Sequence, residues 1–300
     1  MPPTGALLCL ASAAAFGAMG IFGKLAYEEG ATVGTLLATR FALAAAVFWL
    51  VMLATGTLGE LRTLARRDAG LAVALGALGY GAQAGCYFLA LDRLDASLLS
   101  LVLYTFPVMV AVAAIALGRE RFSARTALAL TVASAGLVLV LAGAAAGALD
   151  PLGTALALGA AVVYTTYILS SEGVSERVSP VILSTLVCTG AAVTLTLAGL
   201  VTGDLAFGPV SATGLGWLAG IALVSTVVAI GLFFAGLRRV GPTAAAILST
   251  LEPVVTVMLA FVVFGESLGP AQLLGGALVL CAVLVVQTNP RKDRLELQPA

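Results

Sequence analysis

Ten apolar runs, each about long enough to cross a bilayer, follow one another with only short gaps, and that pattern leaves few folds open. They occupy residues 6–27, 33–54, 69–91, 96–117, 124–144, 152–171, 179–201, 213–236, 242–264 and 270–288. A hydrocarbon layer of about 30 Å needs roughly 20 apolar residues of helix to cross it. Open sheet edges and loose loops leave backbone groups unsatisfied in lipid. The chain is therefore expected to be an all-α polytopic membrane protein of ten transmembrane helices, with successive helices antiparallel. Composition agrees, with 61% hydrophobic residues, 10% charged and a mean hydropathy of +1.10. A soluble domain carries about 25% charged residues, so this chain lacks the charge to cover a water-facing surface.

The same composition excludes much chemistry. There is no His, which removes His-based triads, zinc sites and proton relays. Cys9, Cys86, Cys188 and Cys281 are far apart in apolar stretches, so they suggest neither a metal site nor a disulfide framework. The formal net charge is +0, which provides no field for nucleic acid. No phosphate-cradling GxxxxGK[ST] pattern occurs, so ATP hydrolysis is not expected. No cofactor or metal is expected, and the implied partners are a lipid bilayer and a small-molecule substrate. An intramembrane enzyme would need a nucleophile–base pair or clustered acids, and the chain offers one central acid. A scaffold, sensor or channel subunit is the other rival class.

Proline placement supports these boundaries. Asp150-Pro151, Ser179-Pro180, Gly241-Pro242 and Gly269-Pro270 each read as an N-cap followed by Pro at the first helical position. Only Pro107 and Pro253 lie deep inside a span, where each removes a backbone hydrogen bond and predicts a kink. The first run lacks a basic leader and exceeds a signal-peptide core, so it is expected to be a retained helix. With both termini cytoplasmic, 12 of the 15 basic residues fall on the inner side, leaving Lys24, Arg40 and Arg93 outside. The positive-inside rule favours that orientation, in what reads as a bacterial inner membrane.

A shift of 146 residues lays the second half on the first without gaps. Pro107-Val108 falls on Pro253-Val254, Arg93 on Arg239, Ser97 on Thr243, Glu120 on Glu266, and Tyr87-Phe88 on Phe233-Phe234. The chain divides into a first five-helix repeat (1–145), a second (146–290) and a cytoplasmic tail (291–300). Five is odd, so the copies are expected to be inverted in the membrane. Inverted repeats are the construction plan of many secondary transporters.

Those doubled motifs resemble the drug/metabolite transporter superfamily in its ten-helix EamA branch. They are Tyr87-Phe88-Leu89-Ala90-Leu91, Ser97, Pro107-Val108 and Gly118-Arg119-Glu120, recurring as Phe233-Phe234-Ala235-Gly236-Leu237, Thr243, Glu252-Pro253-Val254 and Gly265-Glu266. Phe16-Gly17, Lys24 and Arg40 are similar to that branch as well. The resemblance covers essentially the whole chain. It implies an inner-membrane carrier exporting amino acids or related metabolites, aromatic amino acids being cargo of one subgroup.

Polar and aromatic residues form stripes at helical spacing. The third span carries Gly76, Tyr80, Gln83 and Tyr87. The fourth carries Ser97, Ser100, Tyr104 and Pro107, the sixth Tyr164, Tyr167 and Ser171, and the ninth Thr243, Thr250 and Pro253. Such faces belong against a neighbour helix or a cavity rather than lipid. The candidate substrate-binding residues are Phe16, Met19, Tyr80, Gln83, Tyr87, Tyr104, Tyr164, Tyr167 and Ser249. Rings would stack on cargo, and the Gln83 amide and the hydroxyls would bind its polar groups. Carbonyls freed near Pro107 and Pro253 offer further acceptors, with kinks suited to gating. For individual Ser and Thr residues, bonding back to their own helix is the simpler reading.

Glu252 is the one carboxylate near the centre of a span. It either couples transport to protons or holds the Pro253 kink. Arg40, about 10 Å below the surface at 1.5 Å per residue, is read as snorkelling and pairing with Glu28 or Glu29, the alternative being attraction of a substrate carboxylate. Glu120 and Glu266, at helix ends beside Gly, are expected to bind free backbone N–H groups across hairpins. The resulting reading is alternating-access export of amino acids or related small metabolites. The alternative is multidrug or other metabolite efflux coupled to protons through Glu252.

Overall fold

The computed structural model describes residues 3–118, 124–145, 150–175, 177–208, 210–240, 248–249 and 251–287. Arg119, Glu120, Gly241-Pro242, Thr243, Thr250 and the tail after residue 290 lie outside the described residues. Within them the chain is all helix and loop. Seven helices are long and apolar enough to cross a membrane: Thr4–Glu28, Val33–Ala54, Arg66–Leu91, Ala96–Ala116, Pro151–Ser175, Pro180–Thr202 and Ala212–Phe233. Three shorter apolar helices, Ala127–Gly143, Leu251–Phe264 and Pro270–Val285, occupy the remaining expected spans. In chain order these give ten, and they are numbered so below. One short helix, Leu58–Thr63, was not expected; its Arg62 and Glu60 place it in the loop after the second helix.

Side chains sort by size as lipid demands. The interior is rich in small residues, with Ala44, Ala90, Ala157, Ala160, Ala161 and Ala191 wholly buried. Large apolar residues cover the outside, such as Leu78 and Val262, each 72% exposed. Small interior residues let helix backbones approach closely. The fifth and tenth helices cross at Gly136 and Gly275, where an added Cβ would come within 2.7 and 2.5 Å of the opposing carbonyl.

Several membrane helices are not continuous. The first breaks at Ala18, between Pro3–Gly17 and Met19–Glu28. The fourth breaks at Tyr104–Thr105, between Ala96–Leu103 and Phe106–Ala116. Pro107 causes the second break. It has no N–H for the Leu103 carbonyl and its ring crowds that turn, so the α-ladder stops just upstream and restarts with Pro in the first turn. The third and eighth helices widen into π-helical segments at Leu75–Tyr80 and Leu223–Val228.

The expected caps hold in part. Asp150 Oδ1 accepts the Gly153 N–H at 2.6 Å, and Gly269 N–H reaches the Gln272 side chain at 2.8 Å. Ser179 sits at its N-cap position, but its buried hydroxyl bonds to nothing among the described residues.

Helices pack in matched sets. The second lies on the seventh and the fifth on the tenth; the first packs on the eighth and ninth, and the sixth on the third and fourth. A shift of 146 residues converts each of these pairings into one of the others or into itself. Loops cluster by parity. Arg177 pairs with Asp68 at 2.9 Å, joining the loop after the sixth helix to the first turn of the third. On the opposite face, Lys24 meets Glu266 at 2.9 Å, Arg93 meets Asp150 at 3.6 Å, and Gly34 N–H donates to Asp204 at 2.7 Å. This alternation fits antiparallel neighbours for the helices that these described connections join.

Candidate functional site

Six aromatic rings from four helices run through the bundle as a ladder. Phe41 meets Tyr80 edge-on at 5.2 Å, Tyr80 stacks on Tyr167 at 5.6 Å, and Tyr167 stacks on Tyr164 at 6.2 Å. Tyr164 meets Phe106 at 4.5 Å, and Phe106 meets Tyr104 at 5.8 Å. Close approach is possible because Gly79 leaves room: a Cβ there would lie 2.8 Å from the Tyr167 ring. Each end of the ladder carries an ionisable side chain.

At one end is Arg40, only 2% exposed. Its Nε donates to Thr226 Oγ1 at 3.0 Å and a terminal nitrogen donates to the Tyr80 hydroxyl at 3.3 Å. Its guanidinium also lies against the Phe41, Tyr80 and Phe88 rings, at 4.8, 5.9 and 5.5 Å. Tyr80 and Thr226 belong to the two π segments, so Arg40 ties one to the other. This corrects the snorkelling expectation. The side chain turns into the bundle, and Glu29 accepts a hydrogen bond from Ser211 instead. Aromatic faces and the loosened π backbone make the interior a better environment for a guanidinium than a stretch toward the interface.

At the other end is Glu252. The Tyr104 hydroxyl lies 2.7 Å from the Ser249 carbonyl and 3.2 Å from Glu252 Oε2. Ser249 is four residues before Pro253, so its carbonyl is the one the proline leaves without a helical N–H. Tyr104 replaces that donor from the opposite half. A phenol has one proton and a carbonyl only accepts. The Tyr104 hydroxyl therefore shares its one proton between the Ser249 carbonyl, the nearer acceptor, and Glu252 Oε2. Behind this corner the first helix approaches closely: a Cβ at Gly17 would lie 2.8 Å from the Glu252 carbonyl, and Thr256 donates to the Gly17 carbonyl at 2.9 Å.

The remaining candidates line the space between. Gln83 and Tyr87 continue the Tyr80 face of the third helix and are buried. The Gln83 amide and the Tyr87, Tyr164 and Tyr167 hydroxyls have no hydrogen-bond partner among the described residues. Tyr80 and Tyr87 both lie within electrostatic reach of Arg40 and of Glu252. Met19 packs against the main core, and Phe16 is half-buried beside Gly17, without a ring contact among the described residues. Ser171 and Thr166 bond back to their own helix, at 2.9 and 3.0 Å. The structure thus brings Tyr80, Tyr104, Tyr164, Tyr167, Ser249, Glu252 and Pro253 into one connected arrangement. Sequence reasoning missed Phe41, Phe106 and Thr226. Phe106 is the residue aligned with Glu252 in the 146-residue shift, which was the available signal; the other two had none. No group of three or more Cys, Asp or Glu that could hold a metal occurs among the described residues.

Near the surface, Glu266 gathers three elements. Its carboxylate accepts from Lys24 at 2.9 Å, from the Ala96 and Ser97 backbone N–H groups at 3.1 and 3.0 Å, and from the Ser97 hydroxyl at 2.8 Å. It therefore caps the start of the fourth helix and holds the end of the first. Burial works to raise its pKa, but the bonds from Lys24 and Ser97 and the Lys24 charge outweigh it and hold the carboxyl below the ordinary 4.5. Beside it a cleft of about 290 Å³ opens between Lys24, Tyr27, Glu28, Asp92 and Asp95.

A model of the EamA-like transporter family matches residues 3–142 and again 151–288. The chain is similar to the uncharacterized transporter YcbK of Bacillus subtilis (strain 168), 27% identical over 90% of this chain and 88% of that one. With the uncharacterized transporter YwfM of the same organism it shares 32% identity, over 56% of each. An uncharacterized transporter of Archaeoglobus fulgidus is 30% identical over 66% of this chain and 70% of its own. A crystal structure of 18% identity superposes over 99% of the chain with a TM-score of 0.66, which shows a shared fold.

Proposed function

Because this chain belongs to the EamA-like transporter family and is a multi-pass membrane transporter rather than an enzyme, we propose that it exports amino acids or related small metabolites from the cell by alternating access. The observation that carries this reading is the aromatic ladder, with a buried cation at one end and a carboxyl at the other. An amino acid has the same three parts: a carboxylate, an ammonium group and, in the apolar and aromatic members, a body that stacks on rings. Unbonded Gln83 and tyrosine hydroxyls supply orientation at little reorganisation cost.

The two halves act as inverted repeats, residues 1–145 and 146–290, with both termini cytoplasmic. Support comes from the doubled family match, the matched helix pairings and the basic-residue asymmetry. Breaks in the first and fourth helices and the π segments supply places where a rocking half can bend. In this conformation the Glu266 contacts close one face. Protons are the coupling ion: Glu252, the one carboxylate near the centre of a span, is the group that would take them up and release them. Multidrug efflux is the second reading, favoured by the ladder alone and disfavoured by the ionisable side chain at each end.

The test is efflux from cells preloaded with labelled L-phenylalanine. Overproduction of the protein should speed efflux several-fold over cells producing a Tyr80→Ala/Gln83→Ala variant that accumulates in the membrane equally. Equal efflux from both would remove the ladder's role in cargo handling.

A further inference from the structure

We propose that Arg40 is the receptor for a carboxylate carried by the transported molecule; this deepens the amino-acid reading and rests on it. Arg40 is 2% exposed and makes two side-chain hydrogen bonds. A guanidinium has five N–H donors, so three are left without a partner among the described residues. No described carboxylate lies within 4.0 Å of it. Both of its bonds go to neutral hydroxyls, and three aromatic faces surround it. Ring faces soften the burial of a cation but cannot neutralise it. A buried arginine this short of acceptors fits a site whose counter-charge arrives with the ligand. The wholly buried Ser225 hydroxyl, next to Thr226 in the same π segment, also has no partner among the described residues.

The unused donors match a planar carboxylate, which takes two parallel N–H bonds from the guanidinium fork. Phosphate esters carry more charge and would want a second cation, and Lys24 is already engaged by Glu266. Arg40 bonds to a π segment in each half, so a carboxylate there meets both halves at once. The cargo is therefore a monocarboxylate whose aromatic or apolar body lies along the ladder.

Equilibrium binding to the purified full-length protein in lipid nanodiscs tests this with three probes: L-phenylalanine, 3-phenylpropionate and phenethylamine. Wild type should bind the two acids and not the amine. Arg40→Gln should weaken both acids about ten- to a hundred-fold, the range for losing hydrogen bonds to a charged group, and should leave the amine unchanged. Arg40→Lys, which keeps charge but loses the fork, should fall between and guards against misfolding of the Gln variant. A purely structural arginine would lower the melting temperature without changing the ranking of probes. Acid binding unchanged in Arg40→Gln, or amine binding as tight as acid binding in wild type, overturns the inference and leaves the carrier reading standing. Arg40-dependent binding of 3-phenylpropionate without binding of L-phenylalanine upholds the inference and overturns the amino-acid reading. Binding of none of the three overturns both.

Discussion

Tyr104 supplies the donor that Pro253 takes away. Its hydroxyl reaches the Ser249 carbonyl from the other half of the molecule, so one side chain both replaces the lost helical donor and joins the halves. Removing it with Tyr104→Phe leaves that carbonyl unpaired in an apolar interior. The expected cost is about 1 kcal/mol, typical of interhelical hydrogen bonds in membranes, read as a lower melting temperature in detergent. Glu252→Gln keeps the size and one donor of a protonated carboxyl. The variant should therefore fold and bind cargo, but its transport should lose its dependence on a pH gradient. PH dependence equal to wild type in Glu252→Gln would end the coupling proposal. At this scale the residue types were readable in the sequence: one central acid, two internal prolines and tyrosines in register. The depth of Arg40 was not, because a cation about 10 Å below the surface is equally able to reach out or turn in. Only Thr226, the adjacent Phe41 and two rings of the third helix, Tyr80 and Phe88, decide it.

Helices in this molecule are defined as much by their interruptions as by their apolar length. The sequence showed where each helix lies, since apolar length and capping residues are local properties. It showed the Pro107 break for the same reason. The π segments at Leu75–Tyr80 and Leu223–Val228 carry no Pro and no local mark. The first of them lies against the seventh helix. A Cβ at Gly76 would lie 2.0 Å from the Val187 carbonyl of the seventh helix, whereas nothing lies within 4 Å at Gly85. Gly76→Ala should therefore cost on the order of 1–3 kcal/mol through overpacking, while Gly85→Ala should be neutral or slightly stabilising; thermal unfolding of the pair checks the contrast. The Glu266 hub gives a pH prediction at the same scale. Its carboxyl is held below the ordinary 4.5 when folded. Its contribution is thus complete above that value and is lost as pH falls through the lower folded value. Wild type should lose stability as pH drops below about 4.5, and Glu266→Gln should start less stable and lose less over that interval. Melting curves from pH 7 to pH 3.5 on both proteins measure this.

Across the whole molecule the governing feature is the relation between two halves. Second packs on seventh, fifth on tenth, and first on eighth as sixth on third. The 146-residue shift made such a relation readable before any coordinates, because duplicated prolines and aromatic pairs occupy equivalent positions. What the shift did not convey is that the site is asymmetric. Phe106 stands in the ladder where its counterpart Glu252 holds an ionisable corner, and Arg40 has no basic counterpart at position 186, which is Leu186. In the proposed carrier, the repeat would supply the moving frame and these departures from it the chemistry. Repetition in the sequence marked the repeat, whereas the partners of Arg40 and Glu252 were not legible, because only packing brings them together.

The central claim is that this frame carries amino acids through a site open alternately to each side. Counterflow in proteoliposomes tests it most directly: vesicles loaded with unlabelled L-phenylalanine, labelled L-phenylalanine outside, and no pH gradient. Label should accumulate transiently above the external concentration, and excess unlabelled cargo outside should suppress it. Label that enters no faster than in protein-free vesicles, from protein shown to be folded, would contradict it.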